Sequence, residues 1–128
     1  MRLMLDTHSF IWFFAGDAKL SNTVRDLIED ESNEKLLSTA SVWEMAIKQS
    51  RGKLTLNLAL KDYIEQKLVF NDFKLLAIDL EHLNVITTLP FHHNDPFDRL
   101  IIAQAMVEQI PVLSRDAVFD AYPINRIW

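Results

Sequence analysis

The sequence contains no cysteine among its 128 residues. Disulfides, thiol catalysis, zinc–thiolate sites and iron–sulfur clusters are therefore excluded, and the absence of disulfides agrees with a reducing, cytoplasmic setting. Glycine occurs only at Gly16 and Gly52. Neither glycine lies in a phosphate-cradling pattern, which excludes a P-loop and a dinucleotide-binding fingerprint.

Basic residues are also scarce, since 13 Lys and Arg stand against 18 Asp and Glu, a net charge of −5. A surface that neutralises many phosphates needs an excess of Lys and Arg, so this balance argues against a tight, sequence-independent nucleic-acid binder. A nuclease that meets phosphate through a bound metal does not need that excess, because the cation supplies the local positive charge.

Long apolar runs are missing too. The longest one near the start, residues 10–15, is far too short to span a membrane. An acid at position 6 comes too early for a signal peptide. We therefore expect no targeting segment and no membrane partner.

The residues that are present predict one α/β domain over positions 1–128. Hydrophobic residues make up 49% and charged residues 24% of the chain, which is a globular composition. Predicted strands alternate with predicted helices, and this order implies a parallel β-sheet of about five strands flanked by helices on both faces. The predicted strands are residues 2–5, 35–39, 73–78, 111–114 and 124–128. The predicted helices are residues 8–15, 22–30, 41–51, 58–69, 80–88, 97–108 and 116–121.

Two acids fall where predicted strands end. Asp6 directly follows the first strand, and Asp116 comes two residues after the fourth. In open parallel sheets, ligands bind beyond the carboxyl ends of the strands, near the point where the strand order reverses. We therefore expect these two carboxylates to face a binding site.

Two further acids reach the same edge through predicted helix starts. Ser41 suits an N-cap with Glu44 three residues later, and Asp95 suits an N-cap with Pro96 at the first helical position and Asp98 at the third. Capping alone accounts for either acid, and Asp116 could also be a cap. All of these acids are predicted at the same edge of the sheet as Asp6. Helix capping alone does not explain this shared position, which therefore favours a common site.

Carboxylates held a few ångströms apart raise one another's pKa, and a hard divalent cation removes that repulsion. An all-oxygen ligand set without cysteine favours Mg²⁺ or Mn²⁺ over zinc. Two such ions, roughly 4 Å apart, would activate a water and stabilise the leaving oxygen in an in-line displacement at phosphorus. The predicted metal ligands are Asp6, Glu44, Asp98 and Asp116.

Several neighbouring residues are candidates for supporting roles. The hydroxyls of Thr7 and Ser114 are placed to hydrogen-bond metal ligands. Arg99 either pairs with a neighbouring acid or contacts phosphate, and Asp95 is an additional acid in the same segment. The histidines are less informative: His82 is predicted on a helix surface, and the remaining three, His8, His92 and His93, have no assigned role.

The order and spacing of these motifs resemble the PIN-domain ribonucleases, and among them the VapC-like toxins of bacterial toxin–antitoxin pairs. The resemblance spans the chain, and its most specific part is the run from His93 to Ala105. The matching segments are residues 4–8, 41–48, 93–105, 113–116 and 127–128.

The resemblance implies a parallel sheet flanked by helices and an acidic pocket that binds Mg²⁺ or Mn²⁺. By motif, Asp6, Glu44, Asp98 and Asp116 match the four family acids in that order, and Asp95 shares part of the third role. It also implies cleavage of RNA, inhibition by a small cognate antitoxin protein, and a homodimer.

Three alternative functions remain open at this point. An acid-pocket phosphatase would use Asp6 as a nucleophile and usually carries a second Asp two residues later, where this chain has His8. A phospho-acceptor receiver domain would need a lysine after a late strand, where this chain has Ser114-Arg115-Asp116. A non-catalytic PIN-like binding module usually lacks one or more of the acids, and all are present here.

Overall fold

A computed structural model describes all residues from Met1 to Trp128. The chain forms one five-stranded sheet in which every neighbouring pair is parallel, in the order β3-β2-β1-β4-β5. The strands are β1 Arg2–Leu5, β2 Glu34–Ser38, β3 Phe73–Leu76, β4 Val112–Leu113 and β5 Arg126–Ile127. The predicted five-stranded parallel sheet, including an edge strand at the end of the chain, is confirmed.

Six α-helices and one 3₁₀ helix connect or follow the strands. The α-helices are α1 Thr7–Ala15, α2 Asn22–Glu29, α3 Thr39–Ser50, α4 Leu60–Phe70, α5 Leu80–Ile86 and α6 Pro96–Glu108. The 3₁₀ helix is Ala117–Ala121. None of the helices is long and apolar enough to cross a membrane.

The hydrophobic core lies on both faces of the sheet, because successive side chains of a strand point to opposite faces. Leu3 and Leu5 of β1 belong to a cluster on one face with Phe10 of α1 and Val24 of α2. Met4 belongs to the cluster on the other face, together with Ile101 and Ile102 of α6. Leu3, Met4 and Leu5 are fully buried, which agrees with the position of β1 in the middle of the sheet.

The strand order reverses beside β1. The chain adds β2 and then β3 on one side of β1, and it returns to place β4 on the other side. The carboxyl ends of β1 and β4 are therefore neighbours at the switch point, where open α/β sheets bind their ligands.

The predicted start of α3 is wrong. The N-cap is Ser38, whose hydroxyl accepts a hydrogen bond from the Ala40 N–H at 3.0 Å, and the helix begins at Thr39. Strand β2 thus runs directly into α3 without a loop. Ser41 lies inside the helix, and Glu44 lies in its second turn, so neither residue forms the predicted capping box.

The predicted position of His82 is also wrong, since only 1% of the residue is exposed. Its Nδ1 accepts a hydrogen bond from the Asp79 N–H, while the Asp79 side chain accepts one from the His82 N–H. Because His82 completes this capping box at the start of α5, its ring turns inward against the protein.

Candidate functional site

The acids singled out by the sequence meet around the switch point between β1 and β4. Asp6 follows β1, and Asp116 follows β4. Glu44 comes from α3 and Asp98 from the first turn of α6, and these two helices pack together. The acids share one electrostatic environment, since the pKa of Asp98 responds to the charges of all the others, namely Asp95, Asp6, Glu44 and Asp116.

The crowding of negative charge has its largest effect at Asp98. Burial of its side chain and then repulsion by the four neighbouring carboxylates raise the pKa of Asp98 from 3.8 to about 7. Asp98 makes no ion pair with any Lys or Arg, and its only pairing within 4 Å is with His93. Asp98 thus lies among negative charges without a Lys or Arg partner of its own.

Asp6 is buried, with 5% of the residue exposed. One carboxylate oxygen accepts the Ser9 N–H at 2.9 Å and so caps α1. Burial raises the pKa of Asp6, while hydrogen bonding from Ser114 and Ser9 and the charge of His8 lower it. The side chain is therefore held in place by the helix start as well as by its neighbours.

Asp116 is an exposed acid at the start of the 3₁₀ helix. Its carboxylate accepts the Val118 N–H at 3.0 Å, and its own N–H donates to the Ser114 hydroxyl at 3.1 Å. Ser114 is fully buried, and it contacts two acids of the cluster, Asp6 and Asp116.

Glu44 is 9% exposed and forms an ion pair with Lys48, with 3.1 Å between Oε2 and Nζ. Lys48 lies one turn further along α3, so the pair has the favourable i, i+4 spacing. Sequence reasoning missed Lys48, although that spacing was its signal. Lys48 partly neutralises one side of the acidic cluster.

Asp95 caps α6 as predicted. Its carboxylate accepts the N–H groups of Phe97 and Asp98 at 2.9 and 3.0 Å, and Pro96 takes the first helical turn. Asp95 is exposed, yet among the acids around Asp98 it exerts the largest repulsion.

Thr7 links two of the elements that carry acids. Its hydroxyl donates a buried hydrogen bond of 2.9 Å to the Ser41 hydroxyl. The first turns of α1 and α3 are joined at this point, and this link fixes Asp6 and Glu44 relative to each other.

The expected pairing of Arg99 with an acid is wrong, whereas its contact with phosphate stays a prediction. Its guanidinium donates to the carbonyls of Leu89 and Pro90 at 2.9 and 2.8 Å and stacks on the Phe91 ring at 3.9 Å. Only 4% of Arg99 is exposed. A buried guanidinium needs acceptors close by, and here the segment preceding α6 supplies them, so Arg99 fixes that segment.

A cavity of about 220 Å³ opens beside the acids between the end of α3 and the start of α6. Glu44 and Asp95 line it on the acidic side, and three basic residues face the same space. The basic residues are Lys48, Arg51 and Lys53. Negative and positive side chains thus lie side by side at this cavity.

The donor set fits a hard divalent cation, because it consists only of carboxylate and hydroxyl oxygens and the carboxylates around Asp98 repel one another. No three of the histidine and acidic side chains are already arranged as ligands for one ion. Binding of one ion by three of these side chains would therefore require the carboxylates to move closer together.

Comparisons with known proteins agree with this architecture. A family model described as PIN domain matches residues 3–125. A chain of VapBC2 from Rickettsia felis, solved bound to a DNA fragment from their promoter, superimposes with a TM-score of 0.72 at 14% identity, covering 100% of this chain and 99% of that one. A chain of DNA-bound VapBC from Salmonella typhimurium gives 0.70 at 18% identity, covering 99% and 97%.

A third similar structure is a toxin–antitoxin complex from Klebsiella pneumoniae, with a TM-score of 0.66 at 14% identity, covering 98% of this chain and 96% of that one. No curated protein sequence matches this chain. At these identities, the solved structures show a shared fold.

Proposed function

We propose that this chain, which belongs to the PIN domain family, is a Mg²⁺- or Mn²⁺-dependent endoribonuclease and the toxin of a cytoplasmic toxin–antitoxin pair. The observation that carries the proposal is the gathering of acids around Asp98, whose pKa is raised to about 7 by burial and then by these carboxylates. Several carboxylates gathered at a sheet switch point, with only Glu44 paired to a Lys, make a site suited to a divalent cation.

Asp6, Asp98 and Asp116 would hold the metal, and Glu44 would either join them or orient the attacking water. When bound, the ion would neutralise the carboxylates and supply positive charge to the phosphodiester. Around it, Ser9 and Ser114 hold Asp6 in place.

RNA as the substrate is supported by the surface next to the acids. Lys48, Arg51 and Lys53 offer positive charge to the phosphates on one side of the cut. Trp43 is 56% exposed and packs edge-on against Phe97, with ring centroids 5.0 Å apart. An exposed aromatic beside a basic cavity is suited to stacking an unpaired base.

The partners are proposed from the similar structures, which are described as VapBC or toxin–antitoxin complexes. By this likeness the chain would bind a small cognate antitoxin protein and form a homodimer. Large exposed apolar side chains agree with partner surfaces; they include Trp43, Val69, Phe70, Leu80 and Phe91.

The test compares the wild type with Asp6→Asn, which keeps an oxygen for the Ser9 N–H and so preserves the helix cap. The wild type should cleave RNA in Mg²⁺ and lose activity with a chelator, and Asp6→Asn should lose cleavage by at least about 100-fold. Asp62→Asn is the matched control, since Asp62 is an exposed acid on α4 and its variant should cut normally.

Wild-type cleavage rates in Asp6→Asn would refute the site assignment. Release of phosphate from a small phosphate monoester without RNA cleavage would favour the phosphatase alternative. The protein from the adjacent reading frame should inhibit cleavage, and light scattering of the purified chain should give the mass of a dimer.

A further inference from the structure

The His93 ring lies between Tyr122 and Asp98. Its Nδ1 is 2.8 Å from the Tyr122 hydroxyl oxygen, and its Nε2 is 3.7 Å from Asp98 Oδ2. Nε2 is buried and has no hydrogen-bond partner. The ring is thus anchored on one side and directs an unused polar atom toward the most crowded acid of the site.

The hydrogen bonds around Tyr122 decide which ring nitrogen carries the proton. The Tyr122 oxygen accepts the His92 N–H at 3.2 Å and an N–H of the Arg99 guanidinium at 3.4 Å. Both of these groups can only donate, so the hydroxyl hydrogen remains available for His93 Nδ1. A neutral His93 that accepts at Nδ1 must carry its proton on Nε2, facing Asp98.

The ring cannot easily turn away from this orientation. It packs edge-on against Phe119 and Tyr122, with centroid distances of 6.4 and 5.5 Å. Phe119 is fully buried and Tyr122 is 4% exposed. By contrast, the terminal torsion of an Asp side chain is broad, so a small rotation of the Asp98 carboxylate would turn the 3.7 Å approach into a hydrogen bond.

We propose that His93, fixed by Tyr122 as the Nε2–H tautomer, is a positioning residue that holds Asp98 Oδ2 and thereby directs Oδ1 into the acidic cluster. This inference rests on the proposed role of Asp98 in metal binding. Ligating carboxylates commonly need such a donor, and its loss weakens metal affinity by about 10–100-fold.

The tautomer is tested on the metal-free protein, where neither RNA nor an ion takes part. Two-bond ¹H–¹⁵N spectra of the histidine rings should show His93 of the wild type with a protonated Nε2 and a hydrogen-bonded, unprotonated Nδ1. In Tyr122→Phe, which keeps the buried ring but removes the hydroxyl, Nδ1 should lose this hydrogen-bond shift. A wild-type ring protonated at Nδ1 would overturn the inference.

The positioning role is tested by titrating the protein with Mn²⁺ in a calorimeter. His93→Leu should bind Mn²⁺ about 10–100-fold more weakly than the wild type, whereas His93→Gln, whose amide can donate from the Nε2 position, should stay within about threefold of it. His92→Gln is the matched control, because that neighbouring histidine is exposed.

Thermal unfolding of each variant shows that it is folded before titration. If a folded His93→Leu binds Mn²⁺ like the wild type, the present inference is wrong while the proposed function survives. If the wild type itself binds no Mn²⁺, the proposed function fails and the metal-directed role of His93 fails with it.

Discussion

The ammonium of Lys48 lies 3.1 Å from Glu44 Oε2, so the acidic cluster contains one internal cation. The Lys48 side chain is 30% exposed, and it also lines the basic cavity next to the acids. It therefore competes with a metal ion for Glu44 and is available to a phosphate of the substrate.

Replacing Lys48 with Gln should affect metal and RNA binding in opposite directions. Mn²⁺ affinity should rise by up to about fivefold, because a partly exposed ion pair contributes up to about 1 kcal/mol. RNA binding should weaken, which would appear as a higher KM, since one positive charge facing phosphate is lost. Calorimetry and steady-state cleavage measure the two effects, with Lys61→Gln on α4 as a control for charge alone. Weaker Mn²⁺ binding would contradict this account.

The stability of the metal-free protein should depend on pH through Asp98. Its pKa is about 7 in the folded chain against 3.8 ordinarily. Between those values the native state keeps a proton that the unfolded chain releases, so stability falls as pH rises through this window. Above it, native Asp98 is charged among like charges, and below it the carboxyl group is neutral in both states.

Asp98→Asn should therefore stabilise the metal-free protein at pH 8 and much less at pH 4. The Asp98 side chain keeps 23% of its surface exposed. Because water screens part of the repulsion, we expect a gain of about 1–2 kcal/mol at pH 8. Urea unfolding at both values measures it, and Mg²⁺ should stabilise the wild type more than the variant. An equal effect of the substitution at the two pH values would count against the crowding of charge.

Ser114 should matter for both stability and metal binding. In Ser114→Ala, the Asp116 N–H loses its acceptor and Asp6 loses a hydrogen bond that lowers its pKa. A typical hydrogen bond contributes about 0.5–1.5 kcal/mol to stability, so the midpoint of urea unfolding should fall. Mn²⁺ affinity should fall too, because Asp6 becomes harder to ionise. Ser50→Ala, at an exposed hydroxyl, is the control and should leave the affinity unchanged.

Arg99 should prove structural. Arg99→Lys removes the planar fork that reaches the Leu89 and Pro90 carbonyls together, and Lys cannot satisfy both in the same geometry. We expect a loss of about 1–3 kcal/mol in the free energy of unfolding, with cleavage per folded molecule within a few-fold of normal. If Arg99→Lys is fully stable but no longer binds RNA, this result would instead support the phosphate contact expected from the sequence.

Local signals determined much of this protein from its sequence alone. The alternation of apolar strands with helices gave the parallel sheet, since each pattern reports on a few neighbouring residues. Asp6 and Asp116 followed from strand ends, and the cap formed by Asp95 with Pro96 and Asp98 followed from the residue types at a helix start. Each of these features depends only on residues that are close together in the sequence.

Tertiary packing decided the rest. Glu44 entered the site from a second helical turn, because β2 passes directly into α3 at Ser38. Arg99 is buried because its guanidinium donates hydrogen bonds to the carbonyl groups of the preceding segment. The Tyr122 hydroxyl contacts His93, which lies 29 residues away in the sequence. No spacing of residue types predicts a contact between positions so far apart. The sequence thus determined which acids line the edge of the sheet, whereas side-chain packing decided which groups support them, because burial and long-range hydrogen bonds exist only in the folded chain.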